Sequence, residues 1–243
     1  MKKNLLLLVL LLNVMFATSQ GLFIDSLKIK LAEVPEDTSR VLLLAELGNA
    51  YLRLNPDSGL TYSLDAYKLG QQIQYLRGEA YSIIILARCW WGVGEFATAI
   101  KLLLPKISEI ESLNDDYVTA YAYGALSDIY RDQGDYDKAL EYDFKSIQLI
   151  KKIKGCPLCR LAFTAVASNF LGKNKPDSAR YYLKTGFAYP PDPGLEGWPL
   201  FITGKTFAAY KNYDSALFYF RQSISRLKEE NNDKDLADVY NNM

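Results

Sequence analysis

One pattern recurs along this chain: a branched or polar residue, a small residue, two variable residues and an aromatic. It occurs at Leu47 to Tyr51, Leu86 to Trp90, Leu126 to Tyr130, Val166 to Phe170, Thr203 to Phe207 and Leu236 to Tyr240. The small residues Gly48, Ala87, Ser127, Ala167, Gly204 and Ala237 are spaced 39, 40, 40, 37 and 33 apart. A fixed period of this size is the mark of a repeat architecture, in which each unit leaves an apolar face that only the next unit can cover. The first five copies are each followed by a second element with a small residue of its own: Gly59, Ala99, Ala139, Ala179 and Ala216. Small residues in both elements predict that the paired helices approach closely there, and added bulk would cost about 1–3 kcal/mol. Tyr51, Trp90, Tyr130, Phe170 and Phe207 fall one helical turn beyond the first small set, on the same face.

With these motifs the chain resembles the tetratricopeptide repeat family, over roughly residues 37–243 and most clearly over Leu126 to Ile150. The resemblance implies an all-α fold, a right-handed α-solenoid of helix-turn-helix repeats, with about five repeats and the first helix of a sixth. Two departures stand out. Asn55, Asn174 and Lys211 stand where the family has a turn glycine, and the period exceeds the family's usual ~34 residues, which predicts longer helices. The first copy also lacks one residue in its turn. Ahead of the repeats, an amphipathic helix is expected over 22–33, with Leu22, Ile24, Leu27 and Leu31 on one face. Pro35 ends it, and residues 20–36 form an N-terminal cap. Pro190-Pro191-Asp192-Pro193-Gly194 predicts a loop between the fourth and fifth repeats. The chain stops at Met243 inside the first helix of a sixth unit. That helix is expected either to cap the array or to continue into a longer protein.

The first residues, Met1-Lys2-Lys3-Asn4, an apolar run from Leu5 to Leu12, and Ala17 and Ser19, read as a secretory signal at 1–19 with cleavage before Gln20. The apolar run is short of the ~20 residues a membrane span needs. The mature protein is therefore expected to be periplasmic or secreted and without a membrane span. Lys+Arg and Asp+Glu are 28 each, so removing Lys2 and Lys3 leaves 26 − 28 = −2. This balance offers no basic footprint for nucleic acid.

Histidine is absent from the sequence. Ser-His-Asp and Cys-His hydrolases, His-ligated zinc and a phospho-accepting histidine are thereby excluded. Cys156-Pro157-Leu158-Cys159 has the spacing of a thiol-exchange motif but no βαβ setting, and in an exported chain it reads as a local disulfide or as two thiols without a role. Two cysteines without a second pair do not complete a metal site. Gly204-Lys205-Thr206 imitates the end of a phosphate loop, but its earlier glycine would fall at Pro199. The chain is expected to be no enzyme and to need no cofactor.

The resemblance implies that ligands lie along the concave surface made by the first helices. The exposed neighbours of the packing positions there are Asn49, Arg53, Tyr81, Arg88, Trp91, Tyr121, Asp128, Arg131, Ser168 and Lys205. Asn49 matches an asparagine that chaperone-binding members use to hold a peptide carboxylate. Ala45 stands at a neighbouring position where those members carry lysine, so chaperone-type recognition is not expected. Aromatic and arginine side chains are the favoured anchors, since they dominate binding hot spots. The expected function is a non-catalytic protein- or peptide-binding scaffold outside the cytoplasm. An export signal followed by repeats opening on Thr38 to Leu44 also resembles the sensor regions of Bacteroidetes-type membrane signalling proteins. The alternative is therefore the ligand-sensing input region of a truncated or split signalling protein of histidine kinase or cyclase type.

Overall fold

A computed structural model describes residues 21–52, 54–156, 158–192, 194–230 and 232–243. The expected signal peptide lies outside them. The described residues form helices joined by short turns, with no strand among them. Helix α1 (21–33) precedes five helical units: α2 (Thr38–Tyr51) with α3 (Pro56–Gln72); α4 (Leu76–Gly92) with α5 (Phe96–Leu103) and α6 (Ile107–Ser112); α7 (Asp116–Asp132) with α8 (Tyr136–Ile150); α9 (Cys159–Gly172) with α10 (Pro176–Phe187); and α11 (Gly197–Ala209) with α12 (Tyr213–Glu229). Helix α13 (Asp233–Asn242) follows. Each first helix packs on its partner and on the first helix of the next unit, so α2, α4, α7, α9, α11 and α13 form one wall. The protein is an all-α solenoid.

The small residues lie where the helices of a unit cross. Ala87, Ser127, Ala167, Ala99, Ala139 and Ala179 are fully buried. A Cβ at Gly48 would collide with Ser63, and one at Gly204 with Phe220. The aromatic that closes each motif has a second task, ending its helix. The carbonyls of Trp90, Tyr130, Phe170 and Phe207 accept the amides of Glu95, Asp135, Lys175 and Asn212 at 2.8–3.0 Å, the 6→1 bond of a Schellman turn. Such a turn needs one residue at positive φ, which is Gly94, Gly134, Asn174 or Lys211 in turn. Asn55 departs from this set. Its φ is −152°, and its side chain caps α3 by accepting from the Ser58 amide at 3.1 Å, because the first turn is one residue shorter.

Helices of 17 residues (α3, α4 and α7) account for much of the long period of the first three units. The second unit meets it differently. Pro105 breaks its second helix into α5, a 3-10 turn over Leu104–Lys106, and α6. In α1, Ile24 and Leu27 are buried against Leu47 and Leu31 is partly covered, but Leu22 is 65% exposed. Two residues along a helix rotate a side chain by about 200°, so Leu22 cannot share the face of Ile24. Asp37 caps α2, accepting from the amides of Ser39 (2.8 Å) and Arg40 (3.2 Å).

Candidate functional site on the concave wall

Seven of the ten residues singled out from the sequence lie on α2, α4 and α7, and their helical spacing brings most of them into one chain of contacts. The Arg88 guanidinium lies 5.7 Å from the Trp91 ring centroid and 5.2 Å from that of Tyr121, between an aromatic of its own helix and one of the next. Tyr121 stacks on Tyr81 at 5.8 Å and on Tyr117 at 6.5 Å, and its hydroxyl donates to Asn49 Oδ1 at 3.4 Å. On the other side, Asp128 accepts from Arg88 at 3.4 Å and from Arg131 at 2.7 Å. The Arg88 and Arg131 side chains are only 16% and 14% exposed, and Arg88 Nε is buried with no hydrogen-bond partner among the described residues. Two desolvated guanidiniums held by one carboxylate form a rigid polar floor under the aromatic edge.

Lys205 on α11 stands near its far end, with its ammonium 5.4 Å from the Phe201 ring. Burial lowers its pKa from the ordinary lysine value; Asp238 opposes that and Arg131 adds to it. Ser168, half-buried on α9, joins none of these contacts. Arg53 lies outside the described residues.

Sequence reasoning missed three members. Asp132 lies one turn beyond Asp128 and accepts from Trp91 Nε1 at 3.0 Å and from Arg131 Nε at 3.2 Å. Its i,i+4 spacing from Asp128 was the available signal. Trp198 at the start of α11 takes the Arg131 guanidinium on its ring at 5.5 Å. Lys234 of α13 reaches Trp91 and Asp132 across the wall. The last two contacts depend on the curvature of the solenoid, which no local spacing reports.

The cysteine motif lies away from this wall, in the turn between α8 and α9, where Cys156 and Cys159 form a disulfide. Its surroundings are poor for thiol exchange. Cys159 is fully buried, and the buried Asp192 accepts from the amides of Leu158 (3.1 Å) and Leu161 (3.2 Å). That carboxylate already occupies the positive end of α9 that would stabilise a thiolate. Lys205 and Thr206 lie within helix α11, so they form no phosphate loop. The described residues contain no group of three or more potential metal ligands placed to hold an ion, and no helix among them is long and apolar enough to cross a membrane.

No family model matches the sequence, and no curated protein is significantly similar to it. Solved structures do resemble the fold. The crystal structure of BtubC (BKLC) from P. vanneervenii aligns with a TM-score of 0.62 at 11% identity, covering 88% of this chain and 90% of that one. The apo form of RapI aligns at 0.58 with 13% identity, covering 87% and 92%. A Rap protein complexed with competence and sporulation factor aligns at 0.54 with 17% identity, covering 92% and 72%. At these identities the likeness is one of fold alone, in keeping with the all-α solenoid described above.

Proposed function

We propose that this protein is a non-catalytic scaffold that binds a protein or peptide segment along its concave wall, and that it acts outside the cytoplasm. The observation that carries the reading is the placement of Arg88. Its guanidinium lies between Trp91 and Tyr121 and is held by Asp128, which builds one aromatic and cationic patch from two adjacent repeats. Packing alone does not call for such a group on an open wall, and such groups dominate binding energy at interfaces. The Rap neighbour solved as a complex shows that a related architecture accommodates a partner. Location outside the cytoplasm is supported by the signal-like residues 1–19. A second reading, the sensory input region of a membrane signalling protein, is favoured by that signal together with the repeat opening at Thr38 to Leu44.

The test starts from peptides selected on immobilised residues 20–243 from a displayed random library. Combined Arg88→Ala and Trp91→Ala should weaken the selected peptides at least tenfold, about 1.4 kcal/mol. Cys156→Ser with Cys159→Ser should leave them unchanged. The opposite pattern would move the binding site to the α8–α9 turn.

A further inference from the structure

Lys234 is the second residue of α13, which packs on α12 and α11, yet its ammonium reaches side chains of α4 and α7. It is 4.3 Å from the centroid of the Trp91 ring and 3.7 Å from Asp132 Oδ2. That same oxygen accepts the Trp91 indole N–H at 3.0 Å, while Arg131 holds the other at 3.2 Å. The ring and the carboxylate are thus fixed to each other by a bond that does not involve Lys234, with Arg88 5.7 Å from the same ring centroid. Together they offer what a primary ammonium needs: a π face and an adjacent negative charge. A guanidinium would fit poorly, because its fork calls for two free carboxylate oxygens and both are already engaged.

The occupant is held loosely. Lys234 is 53% exposed and Asp132 is 27% exposed, and ion pairs of this kind are weak. Its advantage is tethering, which gives it a high local concentration at the site.

We infer that Trp91 and Asp132 form a subsite for the lysine side chain of a bound peptide, and that Lys234 occupies it in the free protein as a built-in competitor. The biological occupant rests on the concave-wall reading proposed above; the ammonium chemistry rests on the geometry of Trp91 and Asp132. A tethered competitor lowers apparent affinity by the fraction of time it fills the site.

The probe is Nα-acetyl-lysine amide, titrated to tens of millimolar at low salt while the Trp91 indole N–H resonance is followed by NMR. Trp91→Phe assigns that signal among the three tryptophans. Lys234→Ala should respond at least threefold more strongly than the wild-type protein at equal probe concentration. Adding Asp132→Asn to Lys234→Ala should remove the gain, and the uncharged norleucine analogue should give no response. Equal responses from wild type and Lys234→Ala would overturn the competitor, and an equal response to norleucine would overturn the ammonium subsite. Failure here can be told from failure of the wider reading. If library peptides still depend on Arg88 and Trp91 while lysine amide does nothing, only the subsite falls. If lysine amide responds as expected but library peptides ignore Arg88 and Trp91, the concave-wall reading falls.

Discussion

The joint between α4 and α7 and the joint between α7, α8 and α9 repeat one architectural step with different chemistry. The first is lined by Ile83, Ile84, Ala87, Val118, Ala122, Ala125 and Leu126, all buried and apolar. The second puts three polar groups in the same kind of place. Asn169 Nδ2 donates to Asp143 Oδ2 at 2.7 Å and lies 3.5 Å from Ser127 Oγ, and none of the three side chains is more than 3% exposed. Asn169 Oδ1 has no hydrogen-bond partner among the described residues. Burial pushes Asp143 up to about 7, against the pull of Ser127, Arg131 and Asn169, while Asp128 adds to the rise. Solenoid stability is roughly a sum over units and their interfaces, so one polar joint makes the array uneven. The Cys156–Cys159 disulfide, the Asp192 cap and the Arg160–Glu196 pair add links at the start of α9, while both halves keep apolar clusters of their own.

The largest expected effect overpacks the apolar cluster where α8 crosses α7. Ala139 is fully buried in the cluster that holds Leu126, Ile129 and Tyr130, so Ala139→Trp has nowhere to place its ring and should cost at least about 3 kcal/mol. Lys138, one residue away, is 56% exposed, and Lys138→Ala should stay within about 0.5 kcal/mol. Chemical denaturation of both variants measures the difference. Equal stabilities would show that the small residues do not mark the crossing point.

The polar joint should show itself through pH. Asp143 starts from an ordinary value of 3.8 and is raised to about 7 in the folded protein. Between those values the folded state holds a proton that the unfolded chain has released, so stability falls as pH rises and the loss is complete above about pH 7. Three pKa units set a ceiling of about 4 kcal/mol, and local relaxation leaves roughly 2. Asp143→Asn keeps an acceptor for Asn169 without a charge. It should match the wild type near pH 4 and exceed it by about 2 kcal/mol at pH 8. Parallel melting curves for the two proteins across that range would mean that Asp143 does not carry the pH dependence.

The same contrast explains what the sequence reveals. Repeat number, the small crossing residues and the closing aromatics were legible because each is a local choice repeated at a fixed spacing. Trp91, Arg88 and Tyr121 were legible as neighbours because α4 and α7 are successive first helices. Asp143 and Asn169 were not, since a polar residue on an amphipathic helix normally faces water and only the next unit shows that these do not. Pro105 also escaped the periodic reading, because Ala99 and Leu103, one turn apart and both ahead of the break, stay buried as the repeat pattern requires.

The smallest expected effect lies in the turns, which divide the molecule in the same way. The second and third units turn at Gly94 (φ +86°) and Gly134 (φ +83°), while the fourth and fifth turn at Asn174 (φ +54°) and Lys211 (φ +59°). A left-handed backbone costs a residue with a Cβ about 1–2 kcal/mol, against roughly 0.5–1 kcal/mol of extra chain entropy that glycine loses on folding. The difference favours glycine by a few tenths to about 1 kcal/mol. Lys211→Gly should therefore raise stability by that amount, and its side chain can be dropped cheaply because it is exposed. Gly134→Lys should lose a similar amount in the unit that matches the repeat pattern best. Measured together, the two variants isolate backbone strain from packing, because a Cβ at Gly134 would meet nothing within 4 Å. If Lys211→Gly destabilised the protein while Gly134→Lys was neutral, turn strain would not be what distinguishes the second and third units from the fourth and fifth.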